Sequence, residues 1–128
     1  MGKKAIVCVD DDRTVLKTLE EQLERIFGGK YVYEVAESGA EALELIADLV
    51  EEGYAPVTVI SDWSMPGMKG DEFLAHLHSK YDDIVKVLLT GQAPEDAIKR
   101  AYDAAKLDHY IQKPWKMEDL KKRLSHLI

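Results

Sequence analysis

Cysteine is nearly absent from this sequence; Cys8 stands alone. A lone thiol cannot close an internal disulfide, which suits a reducing compartment. Long apolar runs are missing too. The longest is Ala5–Val9, far short of the ~20 residues that cross a bilayer, so no membrane span is expected. Basic residues are in deficit, 17 against 24 acidic ones, for a formal net charge of -7. Without a Lys/Arg block the chain is a poor non-specific nucleic-acid binder, because such binding works by neutralising phosphates. Met1-Gly2-Lys3-Lys4 leads into no secretory apolar segment,. Ile6 stands where a myristoylation signal needs Ser or Thr,. No Gly-x-x-x-x-Gly-Lys loop occurs, so phosphate-loop nucleotide binding is not expected. What remains is 128 residues, 46% hydrophobic and 32% charged, the mix of a single globular domain spanning 1–128. A cytoplasmic location is expected.

Short β-type runs alternate with helix-type periods. The strands are expected at Ala5–Val9, Tyr31–Ala36, Val57–Ile60, Ile84–Leu89 and Leu107–Ile111. The first helix carries Val15, Leu16, Leu19, Leu23, Ile26 and Phe27 on one stripe and stops at Gly28-Gly29,. Ser38 caps the second, which Gly53 closes,. The turn Met65-Pro66-Gly67-Met68-Lys69-Gly70 leads to a third helix around Phe73, Leu74 and Leu77. Pro94 fits the first turn of a fourth helix reaching about Ala105, and a fifth runs from Met117 to about Leu127,. Alternation of this kind predicts a doubly wound α/β (βα)5 domain with a parallel five-stranded sheet. Runs one, three and four are almost continuously apolar, as central strands should be. Runs two and five are mixed and read as edges, giving the order 2-1-3-4-5. Lys86 interrupts the fourth run; its stem is expected to pack while its amine reaches water,.

In open α/β sheets ligands bind beyond the carboxyl ends of the strands, at the switch point of the strand order. Strand one ends in Asp10-Asp11-Asp12, strand three in Asp62, strand four in Thr90, and strand five near Lys113-Pro114. Singly these read as a turn-forming Asp, a capping Thr and a surface Lys; their joint placement points to one acidic site. Two carboxylates about 4 Å apart repel by roughly 4 kcal/mol at an effective dielectric of about 20. Such a group takes up protons, is held apart, or recruits a cation. Oxygen-only ligands favour Mg²⁺ or Mn²⁺ over zinc, with Asp10 and Asp11 as ligands beside Asp62. Asp12 reads instead as a helix cap or first-turn charge. A strand-end carboxylate such as Asp62 can accept a phosphoryl group, a transfer that depends on positioning and charge neutralisation. Lys113 and the Thr90 hydroxyl would meet the phosphoryl oxygens.

Four segments together, Val9-Asp10-Asp11, Ser61-Asp62-Trp63-Ser64-Met65-Pro66 with Gly70, Leu89-Thr90-Gly91, and Tyr110-Ile111-Gln112-Lys113-Pro114, make the chain resemble a CheY-like receiver domain of two-component response regulators. The likeness covers essentially the whole chain. It implies a flavodoxin-like fold. The chemotaxis receiver is itself an instance of the 2-1-3-4-5 order, so the likeness and the strand order are not independent. By position, the resemblance makes Asp62 the phosphoacceptor and Asp11 the main metal acid. Asp10 acts beside it, partly through water, and Ser64 contributes its backbone carbonyl. Thr90 and Lys113 would hold phosphoryl oxygens, and Tyr110 would turn inward as Thr90 moves. The implied donor is a phosphohistidine of a sensor kinase or phosphotransfer protein. The implied output surface is helix four, strand five and helix five. Ser64 and Gln92 match positions that tune phosphoryl lifetime, and Gly91 leaves room for Tyr110. Trp115 resembles receivers joined to larger enzymatic or second-messenger modules.

Such a protein is a phosphorylatable switch that promotes its own modification, not a turnover enzyme. A phosphorylation-independent scaffold on the same fold, and a haloacid-dehalogenase-like phosphohydrolase, are the alternatives. The latter wants a second acid two residues after the nucleophile, where Ser64 stands. The sequence stops at Ile128 just after the last helix, so an output module is expected on another chain or beyond this sequence. A homodimer through helices four and five is left open. His76 and His78 read as surface or half-buried, His109 and His126 have no evident partner set, and Cys8 reads as a small core residue. Glu41, Glu44, Asp48, Glu51 and Glu52 read as a solvated helix face.

Overall fold

The computed structural model describes residues 3–127. Met1, Gly2 and Ile128, on which the readings of the N-terminal segment and the chain end depend, lie outside the described residues. In chain order the elements are β1 (Lys4–Val9), α1 (Arg13–Phe27), β2 (Tyr31–Ala36), α2 (Gly39–Glu51), β3 (Ala55–Ser61), α3 (Gly70–Lys80), β4 (Val85–Thr90), α4 (Glu95–Ala104), β5 (His109–Gln112) and α5 (Met117–Arg123). Short 3-10 turns occupy Gly28–Lys30 and Ser125–Leu127. The strands form one parallel sheet in the order β2-β1-β3-β4-β5, as the apolar and mixed runs predict.

Side chains alternate across a strand with a period of two, and this divides the core. Ala5, Val7 and Val9 enter one cluster with Ile46 of α2, Phe73 and Leu77 of α3, and Ala101 of α4. Ile6 and Cys8 enter the other, with Leu16, Leu19 and Leu23 of α1 and Leu120 of α5. Burial of the Cys8 thiol pushes its pKa up to about 12, with Glu20 and Asp10 adding to the effect. The helix ends follow the sequence signals. Asp12 caps α1, its carboxylate accepting from the Thr14 and Val15 N–H groups at 2.9 and 3.4 Å. Ser38 caps α2 by accepting from Glu41 N–H at 3.1 Å. Gly28 ends α1 with a φ of 62°, a conformation glycine adopts without steric cost.

The expected strand bounds shift by one or two residues at β1, β3 and β4, and four further expectations need correction. Pro94 is the residue before α4 and not in its first turn; its extended backbone supplies the carbonyl that Ala97 and Ile98 N–H groups bond. The fifth strand begins at His109 and not Leu107. The reason is that Leu107 N–H turns back to Ala101 of α4, after Lys106 at a φ of 53°, and the Asp108 carboxylate takes the Lys86 N–H. The last helix ends at Arg123, and its continuation tightens into the 3-10 turn,. Lys86 does not reach water: the residue is 2% exposed and its amine donates to the Ile84 carbonyl at 2.7 Å. Burial lowers its pKa, against the raising effect of Asp108, Asp82 and Asp83. His109 and His126, lacking an evident partner in sequence, stack on each other with ring centroids 5.9 Å apart.

Candidate functional site

The pairing of β1 with β2 and β3 fixes the acidic residues. Asp10 N–H bonds Ala36 at the end of β2, and Asp62 N–H bonds Val9 at the end of β1. Two carboxylates are thereby carried on adjacent strand ends at the switch point of the sheet. With Asp11 they form a group whose ligand atoms all lie within 4.8 Å of one another. Asp10 and Asp62 are buried, and Asp11 is exposed. The cleft over them has a volume of about 610 Å³ and is lined by Asp10, Asp11, Asp62, Ser64, Thr90 and Lys113, among others. Those six site residues named from sequence are therefore brought together. Tyr110 is not among the lining residues; it is half-buried and packs against the α2–α4 side of the core.

Lys113, following β5, brings the opposing charge. Its ammonium donates to Asp10 Oδ2 at 2.9 Å and lies 3.5 Å from Asp62 Oδ2. Asp10 Oδ1 accepts the Asp12 N–H at 2.9 Å. Burial raises the Asp10 pKa, with Lys113 and the Asp12 N–H opposing and Asp62 adding to the rise. Burial works to lower the Lys113 pKa, but Asp10 and Asp62 outweigh it and the net direction is up. The site therefore keeps its cation charged while crowding more negative charge than that cation can offset. Three carboxylates at this spacing fit a hard divalent ion such as Mg²⁺, which takes oxygen ligands and retains several waters.

Asp62 itself is held on several sides. Its Oδ1 accepts from the Trp63 N–H at 2.8 Å, and its carbonyl accepts from the Ser61 hydroxyl at 2.8 Å. Gly70, the first residue of α3, lies so close that a Cβ there would overlap the Asp62 carbonyl oxygen and sit 2.7 Å from Trp63 Cα. Its N–H bonds the Trp63 carbonyl at 2.9 Å. Glycine is thus a packing requirement here.

Several contacts of this neighbourhood, and the residues Asp71, Arg100 and Gln22 that make them, escape a reading of the sequence. The Trp63 indole N–H donates to Asp71 Oδ1 at 2.7 Å, and Arg100 Nε donates to Asp71 Oδ2 at 3.1 Å. Lys69 lies over the Trp63 ring, 5.3 Å from its centroid. Trp115 lines the cleft and donates to Gln22 Oε1 of α1 at 2.8 Å. The Arg100–Asp71 and Trp115–Gln22 pairs are tens of residues apart, and the Trp63 contacts lie within the turn leading into α3; neither kind leaves a periodic signal.

A family model described as the response regulator receiver domain matches residues 6–125. Response regulator MprA of Mycobacterium sp. (strain KMS) is 36% identical over 123 residues, covering 96% of this chain and 50% of that protein. The chain thus spans about half the length of the curated relatives it matches. Among solved structures, the signal receiver domain of an HD domain-containing protein from Pseudomonas fluorescens Pf-5 superimposes with a TM-score of 0.85 at 27% identity. That match covers 97% of this chain and 93% of the other. A CheY-like receiver domain protein from Methanospirillum hungatei JF-1 gives a TM-score of 0.83 at 30% identity, covering 97% and 92%. No helix among the described residues is long and apolar enough to cross a membrane.

Proposed function

This chain belongs to the response regulator receiver domain family, and we propose on that footing that it is a phosphorylation-operated signalling switch with Asp62 as its acceptor. The observation that carries the reading is the position of Asp62, within 4.8 Å of two further carboxylates and 3.5 Å from the Lys113 ammonium. Asp11, Asp62 and the Ser64 carbonyl would hold Mg²⁺ or Mn²⁺, with Asp10 contributing partly through water. Bound there, the ion neutralises charge on the transferring phosphoryl group. A carboxylate oxygen of Asp62 attacks the phosphorus of a phosphohistidine. The phosphorus–nitrogen bond breaks, its electron pair stays on the imidazole, and a proton from solvent completes neutral histidine. Lys113 and the Thr90 hydroxyl each take a phosphoryl oxygen. The donor class is a sensor histidine kinase or a histidine phosphotransfer protein.

Once Asp62 is modified, its new oxygens interact differently with the two positions of Thr90, and that difference shifts the conformational population. Tyr110 follows, altering the surface formed by α4, β5 and α5 that an output partner or domain reads. The chain is a phosphoacceptor that promotes its own modification and its reversal, working in the cytoplasm. The test is incubation with acetyl phosphate and Mg²⁺ followed by intact-mass measurement. One phosphoryl group per chain is expected, and none on Asp62→Asn. A wild-type mass that does not change overturns the reading.

A further inference from the structure

We infer that Asp71 is a positioning residue for Asp62, and that through Arg100 it couples the reactivity of Asp62 to helix α4. This deepens the switch reading above and rests on it. The connection is continuous. Trp63 N–H holds Asp62 Oδ1 at 2.8 Å, and the indole of the same residue donates to Asp71 Oδ1 at 2.7 Å. The other oxygen of Asp71 accepts from Arg100 Nε at 3.1 Å, while Arg100 Nη1 bonds Asp96 one turn earlier in α4 at 3.2 Å. Asp71 is in the first turn of α3, directly after Gly70, whose N–H fixes the Trp63 carbonyl. Trp63 is therefore gripped at its backbone and at its ring by the same end of α3, and its N–H has little freedom to leave Asp62.

The two contacts of Asp71 differ in exposure. Its side chain is 11% exposed, whereas that of Arg100 is 57% exposed. The indole bond is thus sheltered and the guanidinium bond accessible. Arg100 is the point at which the position of α4, or a carboxylate presented to α4, can reach Asp71. Coupling between two sites is reciprocal in binding free energy, so whatever draws Arg100 off Asp71 changes Asp62, and occupancy at Asp62 changes Arg100.

The experiment follows phosphorylation by acetyl phosphate with saturating Mg²⁺ in wild type, Arg100→Ala, Asp71→Asn, the double variant, Arg100→Lys, and, as a remote control, Arg25→Ala in the last turn of α1. The expected result is a saturating rate about fivefold lower in Arg100→Ala and Asp71→Asn, with the apparent KM for acetyl phosphate unchanged. The double variant falls no further than either single, because both remove one interaction. Arg100→Lys recovers part of the rate and Arg25→Ala retains all of it. In nitrogen-15 NMR, the Trp63 indole resonance moves in Arg100→Ala before any phosphodonor is added. Wild-type rates in Arg100→Ala, or additive losses in the double variant, overturn the coupling while leaving Asp62 as acceptor. A wild type that takes up no phosphoryl group overturns both.

Discussion

Lys113 donates to Asp10, at 2.9 Å, more closely than it approaches Asp62, at 3.5 Å. The ammonium that follows β5 thus ties the end of that strand to the end of β1 across the whole middle of the sheet. In this arrangement its main partner is the most buried carboxylate of the cleft, and Asp62 Oδ2 is the less engaged oxygen.

Removing that ammonium should separate stability from metal affinity. Loss of one partner of a buried ion pair costs ~3–5 kcal/mol. Here about 2 kcal/mol is expected for Lys113→Ala, because Asp10 can take up a proton and Lys113 is 23% exposed,. A divalent ion about 5 Å from an ammonium is repelled by roughly 1.7 kcal/mol even at the dielectric of water. Lys113→Ala should therefore bind Mg²⁺ more tightly, by about tenfold, while its phosphorylation slows. Denaturant unfolding and calorimetric titration with Mg²⁺ check the two halves; an unchanged or weakened Mg²⁺ affinity contradicts the second.

Mg²⁺ itself should stabilise the fold. An ion bound only by the folded acid cluster contributes about 2.7 kcal/mol at one hundred times its Kd. The melting temperature is expected to climb steadily with Mg²⁺ concentration. Asp11→Ala should flatten that climb, and because Asp11 is exposed the substitution leaves the ion-free melting temperature nearly as it was. A full Mg²⁺ response in Asp11→Ala would remove Asp11 from the ligand set.

Gly70→Ala should be among the most damaging small substitutions. Its methyl group would overlap the Asp62 carbonyl oxygen and crowd Trp63 Cα at 2.7 Å. Both are backbone atoms with little room to retreat. Overpacking of this kind costs ~1–3 kcal/mol, and α3 must shift away from Asp62. Thermal unfolding and the acetyl phosphate reaction should both suffer; a variant with wild-type behaviour in both would show that α3 and Asp62 move independently.

Lys86 gives the pH prediction. Burial lowers its pKa in the folded state, so between that lowered value and the ordinary lysine value the unfolded chain binds more protons. Stability attributable to this residue is then present above the ordinary lysine pKa and lost as pH falls through the folded one. Lys86→Met should be more stable than wild type at neutral pH, with a higher melting temperature. The gap should close toward alkaline pH. A gap that stays constant to high pH would mean that Lys86 carries no titration penalty.

Much of this was legible from the residues. The bounds of β2 follow from its mixed composition between Gly29 and Ser38, and the cap residues Asp12 and Ser38 act as their side-chain chemistry predicts. The acid cluster needs only the strand order, because Asp10 and Asp62 each stand one residue past a run of buried strand. Harder to see is anything decided by distant partners. Lys86 looks like a snorkelling residue until the Ile84 carbonyl is found beside its amine. The start of β5 depends on Asp108 borrowing the Lys86 N–H, a side chain doing what a strand carbonyl would do. The Trp63–Asp71–Arg100 chain joins the loop after β3 to α3 and α4 by polar contacts that no hydrophobic period encodes.

The division of the core into two clusters has a practical corollary. The sheet acts as a bulkhead: α1 and α5 lean on one side, and α2, α3 and α4 on the other. Repacking around Leu19 and Leu23 offers a route to a sturdier chassis at a distance from Arg100, since substitutions without shared neighbours act almost independently.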